Sequence, residues 1–171
     1  MNFILIDGSY FIFYKFYALL NWWKLAKDND NIEEIVTLDE FTEKFKKTLS
    51  DKINELDKKL KIKNSIKIVA KDCPRNEIWR NKLIDKYKDN RNDKKNSYCR
   101  PFFKLVYNEN LFEKNNIKSI LSHPELEADD CIAITTKHII EKYKYAKVWI
   151  IANDMDFLQL SNERVNVINL K

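Results

Sequence analysis

Glu127-Ala128-Asp129-Asp130 and Asp154-Met155-Asp156 place five carboxylates within 30 residues of a chain whose net charge is +5. Carboxylates gathered this closely resist joint ionisation unless a cation neutralises them, which points to divalent metal. An all-oxygen ligand set favours Mg²⁺ or Mn²⁺ over zinc. Each group also has an ordinary reading. Glu127, Asp129 and Asp130 could complement a helix N-terminus, Asn153 to Asp156 could be a turn with an N-cap, and Asp7-Gly8 could simply end a strand. The elements that carry them decide between the readings.

Asn2 to Ile6 is a short apolar run ending in Asp7-Gly8-Ser9, and the aromatic-rich stretch to about Leu25 reads as a helix. Thr37 and Glu40 have capping-box spacing, and Phe41, Phe45, Leu49, Ile53, Leu56 and Leu60 recur at helical intervals. Ser65 to Ala70 alternates like a strand and runs into Lys71-Asp72; a helix is expected over Asn76 to Tyr87, then a polar stretch from Lys88 to Asn96. Pro101 can open a helix reaching Phe112, Ile117 to Leu121 reads as a strand, and Pro124 precedes a helix from about Glu127 to Tyr143. Lys147 to Ala152 is strand-like, followed by a short helix from Met155 to Leu160 and a strand from Arg164 to Leu170.

This alternation predicts one α/β domain over 1–171, with a mainly parallel sheet of about five strands and helices on both faces. Such sheets bind ligands beyond the carboxyl ends of their strands. Asp7, Asp72, the Glu127 group, Asp154 and Asp156 all follow predicted strands, so one edge of the sheet collects them. Convergence makes metal binding the better reading of acids that singly look like caps. Gly8, the one glycine, would let backbone or phosphate approach beside Asp7.

Composition narrows the partners. Between Lys71 and Lys104 there are eleven Lys or Arg against five Asp or Glu, so the positive charge is local. Aromatics interleave with it, Trp79, Tyr87 and Phe102 being stacking candidates, as in surfaces that bind single-stranded nucleic acid. A solvated surface run with Trp79 and Phe102 in the core is the plainer alternative. Cys73, Cys99 and Cys131 are odd in number and widely spaced, which encodes neither a disulfide framework nor a zinc site and fits an intracellular setting, the cytoplasm, nucleoid or a viral host cell. Asp7 and Lys15 interrupt the apolar stretch from Phe3 to Trp23, so no membrane partner is expected.

Four segments, in order, resemble the nuclease core of the 5′-3′ exonuclease and flap endonuclease superfamily, in particular phage 5′ nucleases and the 5′ nuclease domain of bacterial DNA polymerase I. They are Phe3-Ile4-Leu5-Ile6-Asp7-Gly8-Ser9, Trp79-Arg80 with Tyr87-Lys88-Asp89-Asn90-Arg91, Leu126-Glu127-Ala128-Asp129-Asp130, and Ala152-Asn153-Asp154-Met155-Asp156-Phe157-Leu158-Gln159-Leu160. The resemblance implies a metal-dependent 5′-3′ nuclease of PIN-like fold acting on 5′ flaps or single-stranded 5′ ends of DNA, with RNA in RNA-DNA hybrids as a further substrate. It implies two Mg²⁺ or Mn²⁺ ions, one held mainly by Asp7, Asp72, Glu127 and Asp129, the other by Asp130, Asp154 and Asp156; Asp72 lies one residue off the family spacing, where Cys73 stands. It also implies a helical arch over 76–104, in which Lys88 and Arg91 act with the acids in catalysis. Arg80, Tyr87, Lys94, Lys95 and Arg100 would contact nucleic acid there.

Family members continue into a helix-three-turn-helix region that grips duplex DNA and adds a further acid, whereas these residues stop at Lys171. The resemblance therefore implies a second chain supplying that function, or a relative with weakened duplex binding. Two alternatives stand beside it: a compact PIN-like ribonuclease, and a nonenzymatic nucleic-acid-binding relative. The seven acids and the arch-like motif favour the 5′ nuclease over both.

Overall fold

The architecture follows from apolar runs too short for anything but strands, separated by helices with one apolar stripe each. The structure, a computed structural model, describes residues 1–84, 87 and 97–171. In chain order it contains β1 (Asn2–Asp7), α1 (Gly8–Lys27), α2 (Ile32–Ile35), α3 (Asp39–Lys59), β2 (Ser65–Ala70), α4 (Arg100–Asn108), β3 (Ile117–Leu121), α5 (Ala128–Lys142), β4 (Lys147–Ile151) and β5 (Val165–Ile168).

The five strands form one sheet in the order β3-β2-β1-β4-β5, every pair parallel, as the alternation predicts. Side chains of β1 alternate between two cores. Ile4 and Ile6 join α1, α3 and α4 on one face; Phe3 and Leu5 join α5 on the other. The first core is aromatic: Phe102 packs on Phe16, Phe41 and Phe45 with ring centroids 5.0, 5.6 and 4.9 Å away. It is therefore a core residue and not a stacking platform. Lys67, nearly sealed at 7% exposure, is neutralised by Asp57 at 2.6 Å, which pins the end of α3 to β2.

Two local expectations are corrected. The Thr37–Glu40 capping box does not form. Thr37 instead closes the turn after α2, its hydroxyl donating to the Glu34 carbonyl at 2.7 Å, and α3 starts at Asp39 behind Leu38, which makes no side-chain cap. Of the helix expected over Asn76 to Tyr87, the described residues form two 3₁₀ turns, Arg75–Glu77 and Trp79–Lys82, broken at Ile78. Ile78 is buried in an extended conformation, and the Trp79 N–H is drawn to the Glu125 carbonyl at 3.0 Å, so tertiary contacts override helix propensity. The short helix expected from Met155 to Leu160 forms with those bounds, as a 3₁₀ helix. Of the expected arch over 76–104, residues 85–86 and 88–96 lie outside the described residues. Among the described helices none is long and apolar enough to cross a membrane.

Candidate metal centre

Parallel pairing brings the exits of β1, β2 and β4 to one edge, since Asp7 is level with Ala70 of β2 and Ile6 with Ile151 of β4. Asp7 ends β1 and caps α1, its Oδ1 accepting the Tyr10 N–H at 2.9 Å. Asp72 follows β2 and ties three elements together. Its Oδ1 accepts the Ala128 N–H at the start of α5 (2.8 Å), and its Oδ2 accepts the Ser9 hydroxyl in the first turn of α1 (2.5 Å). Asp154 follows β4 and caps the 3₁₀ turn by accepting the Asp156 N–H at 2.9 Å.

Asp7, Asp72, Glu127, Asp129 and Asp154 line one cleft of about 520 Å³, with Tyr10, Phe13 and Met155 on its rim. Asp129 and Asp154 also face an adjoining depression of about 190 Å³, shared with Asp130, Asp156 and Arg80. All seven expected acids thus lie in two contiguous hollows. Glu127, Asp129 and Asp130 offer carboxylate oxygens within 4.8 Å of one another.

Gly8 admits the close approach of backbone expected beside this centre, and of side chains as well. A Cβ there would lie 2.7 Å from the Tyr107 hydroxyl, 2.8 Å from the Ala70 carbonyl oxygen and 3.0 Å from Val69 Cγ1. The glycine lets α1 start against β2 and α4.

Electrostatics divide the cluster. Burial pushes the Asp7 carboxyl up to about 6, despite the stabilising Tyr10 N–H, and burial followed by Glu127 and Asp130 raises Asp129. Asp130 goes the other way. Burial alone would raise it, but the Arg80 guanidinium and the Trp79 indole hold it below the usual carboxylate range. Arg80 forks onto Asp130 with contacts of 2.6 and 2.8 Å and reaches Glu127 Oε2 at 3.0 Å; Trp79 Nε1 donates to Asp130 at 3.2 Å. Tyr87 donates its hydroxyl to Glu127 Oε2 at 3.0 Å. An all-carboxylate donor set with Asp7 and Asp129 raised by burial and crowding fits hard divalent cations.

Arg80, expected to contact nucleic acid, is thus drawn into the acidic cluster, and Tyr87 lies beside it. Arg100 opens α4 and lines neither hollow. Lys88, Arg91, Lys94 and Lys95 lie outside the described residues. Sequence reasoning missed Tyr10, Phe13, Asn153 and Met155 as cleft-lining groups. Helical spacing behind Asp7 was the available signal for Tyr10 and Phe13. The indole of Trp79 as a donor to Asp130 had no sequence signal.

The chain matches the family model described as the 5′-3′ exonuclease, N-terminal resolvase-like domain, over residues 2–171. A curated 5′-3′ exonuclease of Buchnera aphidicola subsp. Acyrthosiphon pisum (strain APS) is 29% identical over 182 residues, covering 98% of this chain and 51% of the relative. The D15 protein of bacteriophage T5, crystallised with metal ions, superposes with a TM-score of 0.61 at 20% identity, covering 99% of this chain and 55% of that one. The T5 D15 flap endonuclease in a pseudo-enzyme-product complex with DNA and metal ions gives 0.60 at 18% identity, with the same coverages. The chain spans about half the length of these relatives.

Proposed function

Given that the chain belongs to the 5′-3′ exonuclease N-terminal, resolvase-like domain family, we propose that it hydrolyses phosphodiester bonds in DNA from 5′ ends or 5′ flaps, using two divalent ions, Mg²⁺ or Mn²⁺. The observation that carries this reading is the convergence of seven carboxylates from three strand exits and the start of α5 on two adjoining hollows.

Asp7, Asp72, Glu127 and Asp129 would hold one ion, and Asp130, Asp154 and Asp156 the other. When bound, the ions supply an activated water and Lewis-acid stabilisation of the phosphate and its leaving oxygen. The protein's own groups position these ligands. The Tyr10 N–H and the Ser9 hydroxyl orient Asp7 and Asp72, while the Ala128 N–H fixes Asp72 against α5. Arg80 balances the charge of Asp130 and Glu127, and must give up part of that fork if Asp130 is to ligate. Lys88 and Arg91 are proposed to contact the scissile phosphate, and Tyr87, Lys94, Lys95 and Arg100 to hold the strand near it. The products would be a 5′-phosphate and a 3′-hydroxyl.

The test uses 5′-labelled flap, nicked, blunt and single-stranded DNA with matched RNA and RNA-DNA hybrids, in Mg²⁺ or Mn²⁺, with Asp154→Asn as control. Cleavage near the 5′ end that is lost in Asp154→Asn is the expected result. Preference for RNA throughout would overturn the DNA assignment in favour of a PIN-like ribonuclease.

A further inference from the structure

The exposed sides of α1 and α3 carry matched stripes that the metal centre does not use. On α1, Tyr10, Tyr14, Ala18 and Trp22 follow one another at four-residue intervals, so they stack along one helix face. On α3, Lys44, Thr48 and Lys52 do the same. The two helices pack against each other in opposite directions, which sets Lys52 over the Tyr14 ring (5.9 Å) and Lys44 over the Trp22 ring (3.7 Å). Ala18 and Thr48, both small, leave a groove between these pairs. With Lys15, Leu19, Trp22 and Lys44 they line a cavity of about 340 Å³.

A line of rings on α1 leads from this groove toward the metal centre. Tyr10 lines the catalytic cleft, and its ring centroid is 6.2 Å from that of Tyr14, one turn farther along α1. From Tyr10 to Trp22 the helix rises about 18 Å, the length of about five stacked nucleotides. Trp22, with 45% of its surface exposed, is too large and too open to be explained by core packing. One wall is aromatic and the other cationic, and each ammonium rests over a ring that it must leave for a base to stack on that face. Asp51 and Glu55 stand near Lys15, whose other charged neighbour is Lys52.

We propose that this groove is a second nucleic-acid subsite, in which a single strand of DNA leaving the catalytic cleft stacks its bases on Tyr14 and Trp22 while its phosphates meet Lys44 and Lys52. Alternating aromatic and cationic groups is what sequence-tolerant single-strand binding requires. Charge complementarity selects a polyanion over an apolar segment. The inference rests on the nuclease reading for its choice of DNA, and its test is arranged to stand apart from catalysis.

The experiment titrates the protein with single-stranded oligothymidylate in EDTA and follows tryptophan emission. Trp23 and Trp149 are buried and Trp79 is bonded to Asp130, so Trp22 should report contact. Oligothymidylate should quench emission, and Trp22→Phe should abolish most of the quenching. The double variant Lys44→Ala/Lys52→Ala should bind about tenfold more weakly and flatten the dependence of log affinity on log salt by about 1.4, the share of two phosphate contacts on a single strand. Quenching that persists in Trp22→Phe, or a salt slope unchanged in the lysine variant, would overturn the subsite. So would a duplex that competes as well as the single strand. Cleavage assayed separately in Mg²⁺ distinguishes the two claims, because absent cleavage with intact quenching would refute the nuclease and leave the groove standing.

Discussion

Gly8→Ala is the substitution whose consequences the structure prescribes most tightly. The added methyl would sit 2.7 Å from the Tyr107 hydroxyl and 2.8 Å from the Ala70 carbonyl oxygen. Neither neighbour can withdraw easily. Ala70 is held in the parallel pairing of β2, and the Tyr107 ring is wedged between Phe112, 5.8 Å away, and the Lys71 ammonium, 4.5 Å away. Overpacking of this kind costs about 1–3 kcal/mol, while replacing a helical glycine by alanine returns at most about 1 kcal/mol, and less at the first helical position. The net loss is about 2 kcal/mol. For a chain of this size that is a fall in Tm of about 4–8 °C. The same strain lifts the first turn of α1 and with it Asp7 and Ser9, so Mg²⁺ affinity should fall as well, as read by isothermal titration calorimetry on folded protein. Tyr107→Phe removes one of the two contacts and, because that buried hydroxyl has no hydrogen-bond partner among the described residues, costs little alone. The double variant should therefore recover about 0.5–1 kcal/mol relative to the sum of the singles. Urea unfolding measures the cycle, and a Gly8→Ala protein as stable as the parent would refute the packing argument.

Three further outcomes follow from the centre. Arg80→Gln should lower stability in EDTA by about 1–3 kcal/mol, because Asp130 and Glu127 lose their cation, and by less in saturating Mg²⁺; equal losses in both conditions would show that the guanidinium and the metal do not compete for these acids. Asp7 has a folded value near 6, above the 3.8 of an ordinary aspartate, so its protonated form favours the fold. Its contribution is complete below about pH 4 and lost as pH rises through 6, on the order of 2–3 kcal/mol in EDTA; Mg²⁺ affinity should climb over the same interval, and a flat profile for both would exclude Asp7 as a ligand. Lys88→Ala should reduce turnover far more than Tm in a metal-dependent cleavage assay, and an unchanged rate would remove Lys88 from the chemistry.

The strands were legible because each is an apolar run bounded by polar punctuation, and Ser65–Ala70 and Ile117–Leu121 fall where periodicity puts them. Helix α3 was legible from Phe41, Phe45, Leu49, Ile53 and Leu56, all of which are buried. What failed was local reasoning where distant partners decide. Thr37 and Glu40 satisfy the capping-box pattern, yet Thr37 is already committed to the turn after α2. Trp79 lies in a stretch of adequate helix propensity, but its backbone and indole bond to Glu125 and Asp130, some 50 residues away. The acids could be listed from sequence, while the Arg80 fork that holds Asp130 below the ordinary carboxylate range could not. Gly8 stood out by its rarity and its place after Asp7, but only the fold reveals that the backbone it admits is that of Ala70 and that Tyr107 crowds it too.

Because β1 is the middle strand and its neighbours β2 and β4 each deliver an acid at the same edge, the interstrand ladder acts as a ruler for the centre. Slipping either neighbour by one residue would shift its carboxylate by about 3.3 Å, more than a metal–oxygen bond, and turn its side chains to the opposite face. The crossovers carry no such constraint away from Gly8 and the three acids at the start of α5. Length variation among related sequences should therefore gather between Asp28 and Leu38 or after Tyr143. The intervals from Ser65 to Asp72 and from Lys147 to Asp154 should keep their residue count even where every apolar side chain within them has been exchanged.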